Sequence, residues 1–302
     1  EMRWSYLPDD SVYNTDNRNL YNVFVTDLSF RKVFNPVWSL NVGARYTFNN
    51  VSNRSVHSFF KEGLWMSNEL YDFDTSYDEN IAAVYATADF KVGRWKLKAG
   101  IRGEYSGTYG DMTAKDRFDI FPNANISYNI TDKGDYTVAV GYYRNIRRPS
   151  FHSLNPIVRQ VSDYTYTVGN QKLTPSFTDA ISLDFVLAGR FTIAAGYSMT
   201  DNPNYPERLY LTWGNEGKDR NMFIHGDGFI NITKWWNLYS SLTYMITSQK
   251  LSDTDSFDTF SYIQLVASTA FMLPKGFNLA MSCFYNSKMK IGNISVFPIL
   301  NF

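Results

Sequence analysis

The feature that most constrains this chain is a strict alternation of its connections, tight turn and then long polar loop, between long two-periodic segments. Tight turns fall at Phe34-Asn35-Pro36, Val92-Gly93-Arg94, Asp132-Lys133-Gly134, Ala188-Gly189-Arg190, Lys234-Trp235 and Pro274-Lys275-Gly276, roughly every 48 residues. Between them lie polar stretches over 51–78, 107–117, 149–176, 201–220 and 251–256. Each interval holds two alternating segments, which predicts about twelve strands and a further one after Ile291. Many of them span about 11 to 15 residues, whereas strands of soluble proteins usually run to about 5–6. Long strands joined by tight turns at one end and long loops at the other are the pattern of an outer-membrane barrel.

The alternation supplies the chemistry that a membrane demands. In Trp95–Ser106 one face carries Trp95, Leu97, Ala99, Ile101, Gly103 and Tyr105, and the other carries Lys96, Lys98, Gly100, Arg102, Glu104 and Ser106. Hydrocarbon offers no partner to backbone N–H and C=O groups, so spanning strands must close on one another, apolar outward and polar inward. Arg45, Lys96, Lys98, Arg102 and Glu104 are therefore expected to face the lumen, and Cys283 to face lipid. Trp38, Trp95, Trp235 and Trp236 all sit at tight-turn ends, as an aromatic girdle would. The fold class predicted is an all-β, antiparallel transmembrane barrel. No run approaches 18 apolar residues, which excludes a membrane-spanning helix but not such a barrel.

Composition narrows the function classes. Lys and Arg together number 29, as do Asp and Glu, so the net charge is zero and a nucleic-acid-tracking surface is excluded. One cysteine rules out an internal disulfide, and His57, His152 and His225 lie too far apart in the chain for metal-ligand spacing. Neither a metal nor a cofactor is expected. The first residues, Glu1 to Trp4, have neither a charged n-region nor an apolar h-region, so a signal peptide is expected upstream or already removed.

Several motifs carry a family likeness: Phe118-Asp-Ile-Phe-Pro-Asn123, Tyr143-Arg-Asn-Ile-Arg-Arg-Pro149, Leu154-Asn-Pro156 and Gly169-Asn-Gln-Lys-Leu-Thr-Pro175. With Asp78–Tyr85 and Gly100–Glu104, they make the chain resemble the barrel region of TonB-dependent receptors of the kind common in Bacteroides-like bacteria. The specific motifs cover about 35–210, and the general pattern covers the rest. The resemblance implies the bacterial outer membrane, a 22-stranded barrel and an N-terminal plug. Residues 1–302 are then expected to be part of one barrel domain, without plug or TonB box. It also implies uptake of a scarce solute (a siderophore, glycan or peptide) captured by extracellular loops. The partners it implies are outer-membrane lipid, the TonB complex through an N-terminal region outside this chain, and a surface lipoprotein. A passive porin and a non-transporting adhesion or assembly scaffold remain alternatives, and no enzymatic activity is expected.

Arg144, Arg147, Arg148 and His152 open the 149–176 stretch. They are candidate ligand contacts at the extracellular mouth, because guanidinium groups bind carboxylate or phosphate bidentately. A solvated rim ordered by Arg–Asp pairs is the competing reading, and Pro149, Pro156 and Pro175 would stiffen it. The acidic groups Asp72/Asp74/Asp78 and Asp253/Asp255/Asp258 lack a calcium-loop layout and read as solvated loops. Glu104 and Asp119 point inward on adjacent strands, as a glycosidase pair would, but no nucleophile–base pairing accompanies them. His225-Gly-Asp-Gly228 reads as a bulge or kink.

Overall fold

The computed structural model describes residues 12–301 apart from 68–71, 111–114, 156–158, 163–164, 204, 208–211, 215–216, 251, 253–254 and 292–293. Twelve long strands follow one another: β1 (Val12–Val33), β2 (Trp38–Lys61), β3 (Phe73–Val92), β4 (Trp95–Gly110), β5 (Lys115–Asn129), β6 (Thr137–Arg147), β7 (Ser176–Leu187), β8 (Phe191–Asp201), β9 (Lys218–Asn231), β10 (Trp236–Lys250), β11 (Asp258–Met272) and β12 (Asn278–Asn286). A short thirteenth, β13 (Ile299–Asn301), pairs with β12. These thirteen lie side by side in sequence order in a 14-stranded antiparallel sheet, whose last member, Leu64–Ser67, pairs with the far end of β2. Among the described residues β1 and β13 are its two free edges.

Local chemistry sets the turns. The Asn35 side chain accepts from the backbone N–H groups of Val37 and Trp38, at 2.8 and 3.0 Å, and closes the β1–β2 turn. Gly93 and Gly189 take φ of 57° and 61°, which a tight hairpin needs and glycine adopts without a Cβ clash. Within the strands, some glycines make room for rings on the neighbouring strand. A Cβ on Gly43 would come within 2.4 Å of Tyr85, one on Gly196 within 2.3 Å of Phe223, and one on Gly228 within 2.2 Å of Phe191. Pairing runs unshifted through His225–Gly228 on both sides, so the expected bulge is not there; Gly228 accommodates Phe191 instead.

Rings line the tight-turn end as expected. Phe34 stacks on Trp38 at 3.9 Å, Trp38 on Phe90 at 5.9 Å, Trp95 meets Tyr128 at 4.7 Å, and Trp236 stacks on Phe271 at 5.6 Å. The outward face then runs through exposed Leu97, Ile101, Ile120 and Ile126 to a polar border. There the Tyr46 hydroxyl donates to Asn80, Tyr109 to Asp116, and Asn22 is linked through Asn50 to Asp78. From Trp95 to Tyr105 the strand rises about 33 Å at ~3.3 Å per residue. At a tilt of about 40° that is roughly the 25 Å apolar band of an outer-membrane barrel.

Two stretches expected as loops are largely strand. Most of 51–78 is a hairpin in which β2 pairs with β1 as far as Phe60 and with β3 as far as Ser55. Beyond the bilayer nothing enforces apolar/polar alternation, so polar strands there carry no periodic signal. The 107–117 loop likewise shrinks, because β4 continues to Gly110 and β5 begins at Lys115.

Candidate functional site

Cross-strand partners share a face of the sheet, so the register shows which side chains stand together. Arg45 lies opposite Asp27 and Ala83, Ala83 opposite Glu104, and Glu104 opposite Asp119. Lys98 lies opposite Asp89, Lys96 opposite Lys91, and Arg102 opposite Tyr85 and Phe121. All five residues read from the sequence as inward-facing therefore occupy the polar face, opposite the apolar belt.

Glu104 is the centre of that face. Only 3% of it is exposed, in a wall where a lone buried carboxylate would be costly. It is held by Arg102, two residues along its own strand, and by Arg148, which arrives from beyond β6. Arg148 also lies 3.6 Å from Glu79 on β3. One guanidinium thus ties the start of the 149–176 stretch to two strands of the wall.

Beyond Arg148 the chain folds into a compact knob. Ser150 caps the four-residue helix α1 (Phe151–Leu154), its hydroxyl accepting from the Ser153 N–H at 3.2 Å. Gly169 donates to the Asn155 carbonyl at 2.8 Å and Asn170 to that of Ser153 at 2.7 Å. A Cβ at Gly169 would sit 2.2 Å from the Asn155 oxygen, so this crossing admits only glycine. The Asn170 side chain then accepts from the Lys172 N–H, and Leu173 is buried at 3% exposure. Phe151 and Leu154 pack against buried Val51 and Tyr77 on the polar face of β2 and β3. The knob therefore lies on the inside of the wall. Burial pushes the Tyr77 hydroxyl well above the ordinary range of a phenol, and neighbouring Glu79 pushes the same way.

The wall parts beside this knob. Pairing of β5 with β6 runs from Asn129 and Thr137 to Asn123 and Tyr143 and ends there. The next residue of β5, Pro122, has no N–H to donate. Above that point the β6–β7 pair leans over the polar face of β5. The Phe177 ring stacks on Phe121 at 6.5 Å, and the guanidinium groups of Arg117 and Arg144 lie 4.8 and 5.2 Å from its centroid. Arg144 pairs with Asp179 at 3.1 Å, and Arg117 with Asp119 at 2.8 Å.

Of the four candidate ligand contacts, Arg144 and Arg148 are thus engaged within the protein. Arg147 is exposed opposite Ser176, and His152 is exposed on the helix. The inward pair Glu104 and Asp119 is adjacent, as the sequence suggests, but both carboxylates are held by arginines. Asp72 accepts from the His57 N–H and from Ser67, which holds its carboxyl below the ordinary carboxylate value. Asp78 accepts from Asn50, Asp255 accepts from the Ser252 N–H, and Asp253 and Pro156 lie outside the described residues. Cys283 is opposite Ala267 on the apolar face. Sequence reasoning missed Glu79 and Phe177. Nothing local marks either one, because their partners come from distant strands.

Residues 5–302 match the outer membrane protein beta-barrel family, and the chain belongs to it. It is a protein of the bacterial outer membrane. No curated protein matches the sequence. Among solved structures, the ferric yersiniabactin uptake receptor FyuA from Yersinia pestis is similar at a TM-score of 0.67 and 12% identity, over 97% of this chain and 47% of that one. The siderophore receptor PiuA from Acinetobacter baumannii is similar at 0.66 and 13%, over 94% and 49%. The RagAB peptide transporter is similar at 0.60 and 10%, over 91% and 42%. The chain spans just under half the length of the proteins it matches, and at these identities the likeness is one of fold.

Proposed function

We propose that this chain is part of the barrel of a TonB-dependent outer-membrane receptor that takes up a scarce solute such as a siderophore, glycan or peptide. The observation that carries this reading is an open 13-strand run whose whole length overlays just under half of uptake receptors. An open sheet edge is not tolerated in hydrocarbon, so in this reading strands outside the chain complete the wall. Because strands alternate in direction, β1 and β13 run the same way. An odd number of further strands then closes an even-numbered barrel, as a 22-stranded one requires.

In this reading residues 1–302 belong to one barrel domain, while a plug and the TonB contact lie in sequence outside the chain. A surface lipoprotein partner would follow the RagAB precedent. The polar wall faces the lumen, Arg144 and Arg148 position the mouth, and Arg147 and His152 are exposed beside them. Protein binding and pulling on a plug would do the transport, so no chemical step falls to these residues. The test is intact mass and N-terminal sequencing of the native protein extracted from outer membranes. A mass roughly double 34.8 kDa supports the receptor. A mass near 34.8 kDa would leave a wall that closes by itself and would replace the receptor with a porin or scaffold.

A further inference from the structure

The apolar belt is not uniformly filled. Across β6 to β10 one outward row reads Val140, Leu183, Ala195, Ile224, Tyr244, each opposite the next. The row above it reads Tyr142, Ile181, Tyr197, Met222, Ile246. Ala195 is the one small residue among these ten, and below Ile224 the same face of β9 carries Gly226. The result is a groove of about 570 Å³ lined by Leu183, Ala195, Tyr197, Met222, Ile224 and Tyr244. That volume lies in the range of small-molecule pockets.

The polar border directly above the groove carries positive charge. Arg220 is exposed two residues beyond Met222 on the same face, about 7 Å further along the strand. Lys218 and Lys250 face each other one step higher. Lys218 is engaged by Asp201 at 3.4 Å. The Arg220 guanidinium lies over the Phe257 ring at 4.2 Å and has no carboxylate partner among the described residues. Elsewhere on the outward border Asn80, Asp78 and Asp116 accept hydrogen bonds, and Arg144, two residues beyond Tyr142, is paired with Asp179 at 3.1 Å.

We propose that this groove and its basic rim bind a phosphorylated, acylated lipid of the outer leaflet, with an acyl chain over Ala195 and a phosphate at Arg220. Hydrocarbon surrounds the groove on every side in the membrane, so an acyl chain is the occupant at hand. The planar guanidinium at the border is suited to a phosphate, which it can engage through two parallel hydrogen bonds. The inference rests on the outer-membrane placement and is independent of the transport reading.

The experiment uses the full-length protein in phosphatidylcholine nanodiscs, titrated with fluorescent lipid A and, in parallel, with its dephosphorylated form. Arg220→Gln is expected to weaken lipid A binding roughly fivefold, the effect of one basic side chain at a membrane surface. Ala195→Phe fills the groove and is expected to weaken it roughly tenfold through lost apolar contact. Heat-modifiable gel migration reports whether each variant still forms a barrel, and Ala195→Leu replaces Ala195→Phe if the latter does not. Wild-type affinity in both variants overturns the proposal. Equal binding of dephosphorylated lipid A overturns the role of Arg220. A detergent-stable oligomer dissociated by the Ala195 substitution would show that protein, and not lipid, covers the groove.

Discussion

The polar wall has two unlike halves. From β1 to β5 it carries Asp27, Arg45, Glu79, Lys98, Glu104 and Asp119, whereas β10 to β12 present hydroxyls and amides. Between Asn237 and Thr247, Phe260 and Ala270, and Asn278 and Asn286, that face holds no charged residue. Its bonds join neighbouring strands, as Thr247 to Asn221 at 2.8 Å and Ser268 to Ser282 at 3.0 Å. In the charged half Glu79 and Glu104 also join the wall, through Arg148, to a segment folded against it. The difference teaches that charge on the inner face is concentrated where something must be held, while strand pairing alone is served by neutral groups.

Removing the anchor should have the largest effect. Glu104→Ala strands Arg148 and Arg102 beside an apolar gap, and losing one partner of a buried pair costs about 3 kcal/mol or more. Urea unfolding of the full-length protein in detergent, together with trypsin cleavage after Arg147, measures this. A stability within about 0.5 kcal/mol of wild type, the range of a surface substitution, would remove Glu104 from the centre of the account.

Gly169→Ala should come next. Overpacking the Asn155 crossing costs about 2 kcal/mol, confined to the knob, so limited proteolysis within 149–176 should accelerate while global unfolding stays put. On the neutral wall, Thr247→Val removes a single hydrogen bond to Asn221 and should cost about 1 kcal/mol. An effect as large as that of Glu104→Ala would erase the contrast between the halves.

The smallest effect concerns pH. Because the Asp72 carboxyl is held below its ordinary value of 3.8, chiefly by the His57 N–H, its ionised form is favoured in the folded hairpin. That contribution is complete above the ordinary value and is lost as pH falls through the lowered folded one. Hydrogen exchange at His57 should therefore be slower at pH 7 than at pH 3 after correction for the intrinsic rate, and Asp72→Asn should flatten the difference.

These contrasts also mark how far the sequence could be read. Trp95–Ser106 was legible to the residue because a bilayer punishes any lapse in alternation. The 51–78 hairpin was not, because Asn53, Ser55 and Asp78 pair outside the membrane, where strands need no apolar face. The inward set from Arg45 to Glu104 followed from period alone. The role of Arg148 did not, since its carboxylates sit on β3 and β4, Glu104 lying 44 residues back in the chain. Gly169 stood in the sequence only as part of a family-like motif, and only the fold shows Asn155 beneath it.

The knob is seated against the inner wall, Phe151 facing Tyr77 with ring centroids 6.2 Å apart. Tyr77→Cys combined with Phe151→Cys in the full-length protein, treated with a short bis-maleimide cross-linker on intact cells, tests that placement. Rapid formation of an intramolecular cross-link, slowed when Glu104→Gln is added, is the predicted result. If the thiols stay unlinked while both react freely with a bulky maleimide, the knob is not on the wall and the charged half holds nothing.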